Sequence, residues 1–564
     1  MYVNSKAKEQ STFDAIVVGS GISGGWAAKE LCEGGMKTLL LDRGRDVKHI
    51  SDYHTAALNP WDFESRLLNT QKDKEESPIQ SAVFDESNKH FFVKDIEHPY
   101  EQADPFHWIR GYQVGGRSLT WGRQCYRLSD LDFEANLKEG IAIDWPIRYK
   151  DIEPWYSYVE NFVGISGKAE GLPHLPDGEF LPPMEMNILE EHFKSKVEGA
   201  FRDRCVTIGR TANLTRGWKG RNACMYRNLC KRGCPFGGYF SSNAATIPAA
   251  EQTGNLTLRP FSIVTELLFD QDKRKATGVR ILDTETMNTY EYYAKIIFLN
   301  ASTIATTSIL FNSCSSRFPI GFGNSSGQVG KNLMDHHSRV GAEGFFEGFE
   351  DNYYTGRRPN VVYIPRFRNL RIKEQNYLRG FGYQAYAERE PWQLKLERLK
   401  GFGKSFADKI TKPGIWRMRL GGFGECLPYE RNRVTLNTAK SDKWGLPLVN
   451  ITFTFGANEA AMRKDMEESA KEMLSVSGFK NIKGFDYSTV GGDCIHEMGT
   501  ARMGHNPKNS VLNKWNQIHE AKNVFITDGS CMTSSANQNP SLTYMALTAR
   551  ACNFALEQVK TGLL

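Results

Sequence analysis

Short apolar runs punctuated by glycine open the chain. Ala15 to Val18 is one such run, and its shortness and continuity suit a strand buried on both faces rather than a helix. Past Gly19 and Gly21 the pattern turns helical, carrying Ala27, Ala28 and Leu31, and it stops at Gly34-Gly35. Lys37 to Leu41 is a second apolar strand, ending at Asp42. The far end of the chain repeats the theme. Val524 to Thr527 is a short apolar strand that runs into Asp528-Gly529. After a loop rich in Ser, Thr and Asn, a long helix starts at Asn539-Pro540 and reaches about Gln558. Proline fits the first helical position and asparagine the cap before it.

Between about residues 340 and 430 the period changes. "NVVYIPRFRNL", "YLRGFGYQAYAE" and "WRMRLGGFGECLP" alternate apolar with basic or polar residues, the pattern of half-exposed antiparallel strands. "EREPWQLKLERLKGFGKSFADKITK" lies between two of them and reads as an amphipathic helical excursion. Residues 51–104 are polar and loop-rich, a lid or a surface excursion.

Composition narrows the classes. A chain of 564 residues is too long for one core, so two domains, interleaved or in series, are expected. Apolar residues are 40% and charged residues 24%, as in soluble globular proteins. The net charge of +6 comes from basic residues spread along the chain, which does not suit nucleic-acid binding. There is no apolar run long enough for a transmembrane helix, and "MYVNSKAKEQSTF" lacks the features of a signal peptide. The 11 cysteines are an odd number and mostly scattered, which suits reduced thiols or metal ligands.

Gly19, Gly21 and Gly24 stand in GxGxxG spacing between the first strand and the first helix. Gly19 permits the tight turn, Gly21 lets backbone approach a pyrophosphate, and Gly24 lets the helix pack on the strand. The helix N-terminus offers free N–H groups and a positive dipole end to phosphates. Asp42 is placed to accept hydrogen bonds from a ribose. Strand, helix, strand and acid in this order predict a dinucleotide site. The motif alone does not separate nicotinamide from flavin. The C-terminal strand, Asp528-Gly529 and the helix behind them favour flavin, because a helix N-terminus at its pyrimidine edge stabilises the reduced anion.

Cys224, Cys230 and Cys234 form C-x5-C-x3-C. Zinc would want a fourth ligand, for which Cys205 is available. Small buried thiols are the plainer reading. The third reading is an iron–sulfur loop over about 222–238. It is favoured by the Cys-Pro step, by Gly237-Gly238, and by Lys231 and Arg232 set against thiolate and sulfide charge.

These segments together resemble the glucose-methanol-choline (GMC) flavoprotein oxidoreductases. The resemblance takes in the fingerprint, "GYQVGGRSLTWGRQCYR" at Gly111, "DWPIRYKDIEPWYSYVENFVGISG" at Asp144, "GQVGKNLMDHHS" at Gly327, "HEMGTARMG" at His496 and "DGSCMTSSANQNPSLT" at Asp528. It is nearest to bacterial sugar dehydrogenases with an iron–sulfur centre, of the glucoside 3-dehydrogenase type. It implies an α/β fold, in which a Rossmann-like FAD-binding domain is interleaved with an α+β substrate domain built on an antiparallel sheet. The FAD domain would comprise 12–50, 105–130, 220–335 and 490–564, and the substrate domain 131–219 and 336–489.

The resemblance also implies roles. Hydride leaves a carbinol carbon while a base takes the hydroxyl proton, work that suits histidine. His496 is the implied base and Asn539 its hydrogen-bonding partner, with helix capping as the other use of Asn539. His336-His337 could sit near the cofactor or be structural. Gly115 and Gly116 would let the isoalloxazine approach, and Ser118 would bond near its reactive nitrogen. Arg43, Val264, Asp528 and Gly529 complete the implied FAD contacts. Thr120 stands where related pyranose oxidases carry a flavin-linked histidine, so non-covalent FAD is expected. The three cysteines are implied to hold a 3Fe-4S cluster that passes electrons singly to a cytochrome c acceptor. A small subunit with an export signal would carry the chain to the periplasm; the alternative is a cytoplasmic chain.

The substrate expected is a sugar or glycoside, oxidised at a secondary alcohol, with C3 of glucosides first. Tyr383, Tyr386 and Trp392 are sugar-stacking candidates or ordinary packing. Other classes are an oxygen-using pyranose oxidase, a glucose or gluconate dehydrogenase acting at another carbon, a nicotinamide dehydrogenase and a non-catalytic electron carrier.

Overall fold

Strand Thr12–Val18 runs through the middle of an eight-stranded sheet. Thr38–Leu41 and Thr289–Leu299 flank it in parallel, and Leu256–Arg259 and Ala521–Phe525 extend the parallel array outward. A parallel sheet needs cover on both faces, and the apolar run Ala15 to Val18 is buried accordingly. An antiparallel hairpin, Ser262–Asp270 and Lys275–Asp283, hangs from Thr289–Leu299. The computed structural model describes residues 11–564 except 353, 355, 357, 372, 374, 391–394 and 396–398.

Register places the site. Val18 pairs with both Leu41 and Leu299, so three parallel strands finish at one level. The residues just beyond them, Gly19, Asp42 and Asn300, meet at the carboxyl edge, where open α/β sheets bind ligands. Helix Ile22–Glu33 leaves from Gly21 with no side chain capping its first N–H groups. Its Ala27, Ala28 and Leu31 pack with Ala551, Cys552 and Ala555 of the C-terminal helix Ser541–Lys560.

A second sheet of six strands is antiparallel throughout. Its order is Lys480–Asp486, Val340–Phe346, Trp416–Gly424, Phe381–Arg389, Val362–Ile364 and Thr207–Ile208. Along Trp416–Gly424 burial alternates: Trp416, Met418 and Leu420 enter a core with Met462, Met466, Ala470 and Met473 of helix Ala457–Val476. The alternate residues, among them Phe423, look the other way, towards the first domain. Of the excursion between two strands, helix Gly403–Thr411 is described.

The segments expected in one substrate domain divide between two cores. Helix Tyr149–Val163 buries Ile152, Tyr156 and Val159 in the same core as the first sheet, and Tyr156 Oη meets Thr543 Oγ1 at 2.8 Å. Its apolar stripe is matched by the C-terminal helix, so it packs there and not under the six-stranded sheet. Val434, Val449 and Ile451 of a small sheet (Arg433–Ser441, Pro447–Thr452, Glu101–Gln102) join that first core too.

Candidate functional site

A cavity of about 530 Å³ opens between the carboxyl edge of the first sheet and the polar face of the second. Gly19, Gly21, Asp42, Arg43, Gly116, Ser118, Val264, Asp528, Gly529, His496 and Asn539 all line it. Residues 500 apart in sequence thus share one wall through the strand register. Gly24 and Gly115 stand behind the wall. A β-carbon on Gly24 would lie 1.7 Å from the Gly19 carbonyl oxygen, so its bareness serves helix–strand packing. One on Gly115, at φ +88°, would meet Asn243 Oδ1 at 1.7 Å. Neither lines the cavity, and the bareness of both serves close packing.

The rim of the nucleotide end is polar. Asp42 accepts from the N–H groups of Ser20 and Gly44 and from the Ser20 hydroxyl. Its burial raises the carboxyl pKa while these donors pull it down. A β-carbon at Gly21 would meet nothing within 4 Å, which leaves backbone open to a ligand there. Arg43 stacks on Tyr112, 3.9 Å from the ring centroid. Ser118 departs from expectation. Its hydroxyl donates to Gly115 O at 2.6 Å and accepts from Ser242 N at 3.0 Å, so the loop holds it and it has no proton to give a flavin. Asn300, Glu497 and Tyr544 are among the residues around the same cavity, and each holds a buried polar atom (Nδ2, Oε1 and Oη) without a hydrogen-bond partner. Buried polar groups left open in this way point to a polar ligand. These features fit a dinucleotide.

At the other end His496 meets His336. Their Nδ1 atoms are 2.8 Å apart, with the rings crossing at 87°. His336 Nε2 is 2.8 Å from Ala536 O and 3.3 Å from Ser535 O. A carbonyl only accepts, so this nitrogen carries the proton. Burial holds the His336 pKa down to about 4, so its ring is neutral and its Nδ1 accepts. His496 must then donate from Nδ1, which leaves Nε2 as its basic nitrogen. Burial holds the His496 pKa well below the usual imidazole range, and the charge of Arg117 lowers it further.

The loop carrying His496 is strained and strapped. Ile495 has φ 63°, a left-handed conformation that a β-branched residue adopts at a cost of about 1–3 kcal/mol. Asp335 offsets that cost by accepting from the N–H groups of Gly492 (2.9 Å), Cys494 (3.3 Å) and His496 (2.9 Å). Burial, reinforced by Glu497, pushes the Asp335 pKa up to about 8.

Asn539 is not a helix cap. The helix begins at Ser541, Pro540 occupies the capping position, and no side chain takes the first N–H groups. Asn539 Oδ1 instead accepts from Gln384 Nε2 of the six-stranded sheet at 2.7 Å, which frees its amide N–H groups for the cavity. Tyr383 is fully buried and donates to Met466 O at 2.6 Å, so it packs under the sheet and does not stack on a ligand. Tyr386 sits on the cavity-facing side of the same strand, 37% exposed, and Trp392 lies outside the described residues. Gln384, Asp335 and His336 are the site residues that sequence reasoning missed or left structural. His337, behind them, is fully enclosed against Phe455.

The cysteine loop backs onto the cavity wall. Burial raises the Cys224 pKa, and Cys230 and Cys234 raise it further by their proximity. Cys224 Sγ accepts from Tyr226 N at 3.4 Å and Cys234 Sγ from Gly238 N at 3.3 Å. Cys205, the possible fourth zinc ligand, instead has Glu170, Lys194 and Glu198 around it. Tyr239 next to the loop donates to Leu119 O at 2.7 Å, and Thr120 to Arg123 beyond it line the cavity. Residues 51–104 cover the loop's other side: Arg232 donates to Leu58 O at 2.8 Å and Gly233 lies on the Tyr53 ring.

A two-domain fold with a dinucleotide crevice closed by a histidine–asparagine end defines a flavin-dependent alcohol oxidoreductase. The GMC oxidoreductase N-terminal family matches residues 13–338 and its C-terminal family matches 428–548, so the chain belongs to the GMC oxidoreductases, which bind FAD and act on CH–OH donors. It is 26% identical to the fructose dehydrogenase large subunit of Gluconobacter japonicus, over 99% of this chain and 100% of that one. It is 28% identical to a 2-methyl-1,2-propanediol dehydrogenase of Mycolicibacterium austroafricanum, over 96% and 94%. Pyridoxine 4-oxidase of Mesorbium loti shares the fold, with a TM-score of 0.60 at 15% identity over 96% of this chain and 98% of that one. Among the described residues no helix is long and apolar enough to cross a membrane.

Proposed function

We propose that this chain is an FAD-dependent dehydrogenase that oxidises a secondary alcohol of a sugar or glycoside to a ketone, with C3 of a glucoside as the first choice. The observation that carries it is the pairing of His496 and Asn539 at one end of the cavity, each with its useful atom left free by a partner. Likeness to a fructose dehydrogenase large subunit and to a gluconate 2-dehydrogenase flavoprotein supports a sugar.

Gly19, Gly21, Asp42, Arg43, Val264, Asp528 and Gly529 would hold FAD, with the first N–H groups of helix Ile22–Glu33 facing its phosphates. Bound FAD supplies the two-electron acceptor for the hydride. The chain supplies the proton acceptor and the grip on the substrate. His496 Nε2 takes the hydroxyl proton as the carbon gives up its hydrogen, and the His336 contact holds the ring in the tautomer that can do so. Asn539 donates its amide hydrogens to the substrate oxygen, with Gln384 fixing which way the amide faces.

Cys224, Cys230 and Cys234 would hold an iron–sulfur cluster. Their mutual proximity, the N–H groups on two of the sulfurs and the contact through Tyr239 to the cavity wall support this. The cluster would supply a one-electron route to a cytochrome-type acceptor. Likeness to proteins named large subunit and flavoprotein supports a partner subunit, which would also carry the chain to the periplasm.

The test is the anaerobic absorption spectrum of the purified holoenzyme before and after addition of glucose, methyl glucoside or a disaccharide. Flavin bands bleached by one of them, over a broad iron–sulfur background, are expected. Bands that no sugar bleaches would sink the substrate class, and flavin without the background would sink the cluster.

A further inference from the structure

Three metal-ligating atoms converge at the catalytic end of the cavity. His336 Nδ1, His496 Nδ1 and Cys494 Sγ all lie within 4.8 Å of one another. The nitrogens are 2.8 Å apart and the sulfur is 3.4 Å from His496 Nδ1. The two imidazole rings are nearly perpendicular, at 87°. Zinc binds imidazole nitrogen at roughly 2.0–2.1 Å and thiolate sulfur at about 2.3 Å, so tetrahedral ligand atoms stand roughly 3.3–3.7 Å apart. The two nitrogens need to part by about half an ångström to reach that spacing, and the His496–Cys494 pair already lies within it.

A second observation makes this more than a chance cluster. A ligating histidine usually donates its other ring N–H to a carbonyl or carboxylate, which orients the ring and raises its basicity. His336 already does so, through Nε2 to Ala536 O. The two segments that carry the ligands are tied by one carboxylate, since Asp335 precedes His336 and accepts from the backbone of Cys494 and His496. Cys494 and His496 line the cavity, so a fourth position is open to water.

We propose that His336, Cys494 and His496 form a site for zinc or a similar thiophilic divalent ion, and that this ion and the catalytic base exclude each other. Binding forms a zinc–sulfur bond and releases the Cys494 thiol proton to solvent. His496 gives its Nδ1 lone pair to the ion, so its single proton must sit on Nε2. That nitrogen then has no lone pair for a substrate hydroxyl. No electrons move. The metal site stands on geometry alone; the exclusion rests on the proposed role of His496 as base.

The test uses holoenzyme cleared of loosely bound zinc, and zinc chloride. Titration calorimetry is expected to find a zinc equivalent that weakens tenfold or more in Cys494→Ser and in His336→Ala and persists in Cys230→Ser. Substrate-driven bleaching of the flavin is expected to slow as this site fills and to recover with EDTA. Affinity unchanged in both Cys494→Ser and His336→Ala would overturn the site, as would zinc binding lost only in Cys230→Ser, which would move the ion to the cysteine loop. Zinc bound through Cys494 with undiminished bleaching would overturn the exclusion. Calorimetry reads the site even if no sugar reduces the flavin, so failure of the substrate reading is seen separately.

Discussion

Gln384 Nε2 donates to Asn539 Oδ1 across 2.7 Å, joining the middle of the six-stranded sheet to the start of the C-terminal helix. The bond decides what Asn539 does. With its oxygen taken, the side chain meets substrate as a donor. In Gln384→Ala the amide is free to turn, and a neutral hydrogen bond of about 0.5–1.5 kcal/mol is lost from the site. A fall of roughly three- to tenfold in kcat/KM is expected, with flavin content unchanged. Stopped-flow reduction of the flavin measures it; an unaltered rate would show that Asn539 needs no such support.

His496 and His336 divide a different task. Removing the base in His496→Ala is expected to slow flavin reduction by about 10²–10⁴, the usual weight of general base catalysis. His336→Phe keeps the ring's bulk but removes the acceptor for His496 Nδ1–H, so the tautomer is no longer held. A smaller loss in kcat is expected, partly restored in His336→Asn, whose amide oxygen falls near the old Nδ1. Equal rates in the Phe and Asn variants would make His336 a packing residue only.

Asp335→Asn tests the strap. Both carboxyl oxygens of Asp335 accept backbone N–H groups, so an amide must turn its NH2 towards at least one donor. An unsatisfied buried group costs about 1–3 kcal/mol, and the left-handed Ile495 loses its compensation. A lower thermal midpoint together with slower flavin reduction is expected. A lower midpoint alone would separate the strap from the placement of His496.

The same contacts show where a sequence stops being readable. The fingerprint strand, its helix and the alternating strands near 340–430 were legible because their signals are local: an apolar run, a glycine triplet, a period of two. The proposed catalytic pair, His496 and Asn539, followed from a family resemblance. Its supports did not, because Gln384 is 155 positions from Asn539, His336 160 from His496 and Asp335 161 from the His496 backbone. No periodicity announces such partners. Asn539 kept two readings open for the opposite reason: the local signal for a cap was clear, and only the tertiary hydrogen bond from Gln384 shows that the side chain is used elsewhere.

Glu425 links pH to stability. It is enclosed next to Arg379, with Nη1 to Oε1 at 3.2 Å, and burial pushes its pKa up to about 7 against the pull of Arg379 and Arg366. The folded value lies above the ordinary 4.5, so the folded state holds the proton more tightly. Its contribution is fully present below about pH 4.5 and is lost as pH rises through about 7. Glu425→Gln removes this titration. The thermal midpoint of the native chain relative to the variant is expected to fall between pH 5 and pH 8. A difference that stays constant would mean that Glu425 remains ionised through the range.

Cys230→Ser separates the two halves of the proposed reaction. Cys230 opens a single turn, Cys230–Arg232. A serine oxygen is a poor ligand for iron in a thiolate site. Loss of iron and of the broad absorbance is expected, while FAD stays, because none of its proposed contacts lies in this loop. The sugar should still bleach the flavin, since proton removal depends on His496 and not on the cysteines. Reoxidation by a one-electron acceptor such as cytochrome c should then fall tenfold or more. If the variant passes electrons to cytochrome c as fast as the native enzyme, the cysteine loop is not the route, and the acceptor must draw directly from the cavity.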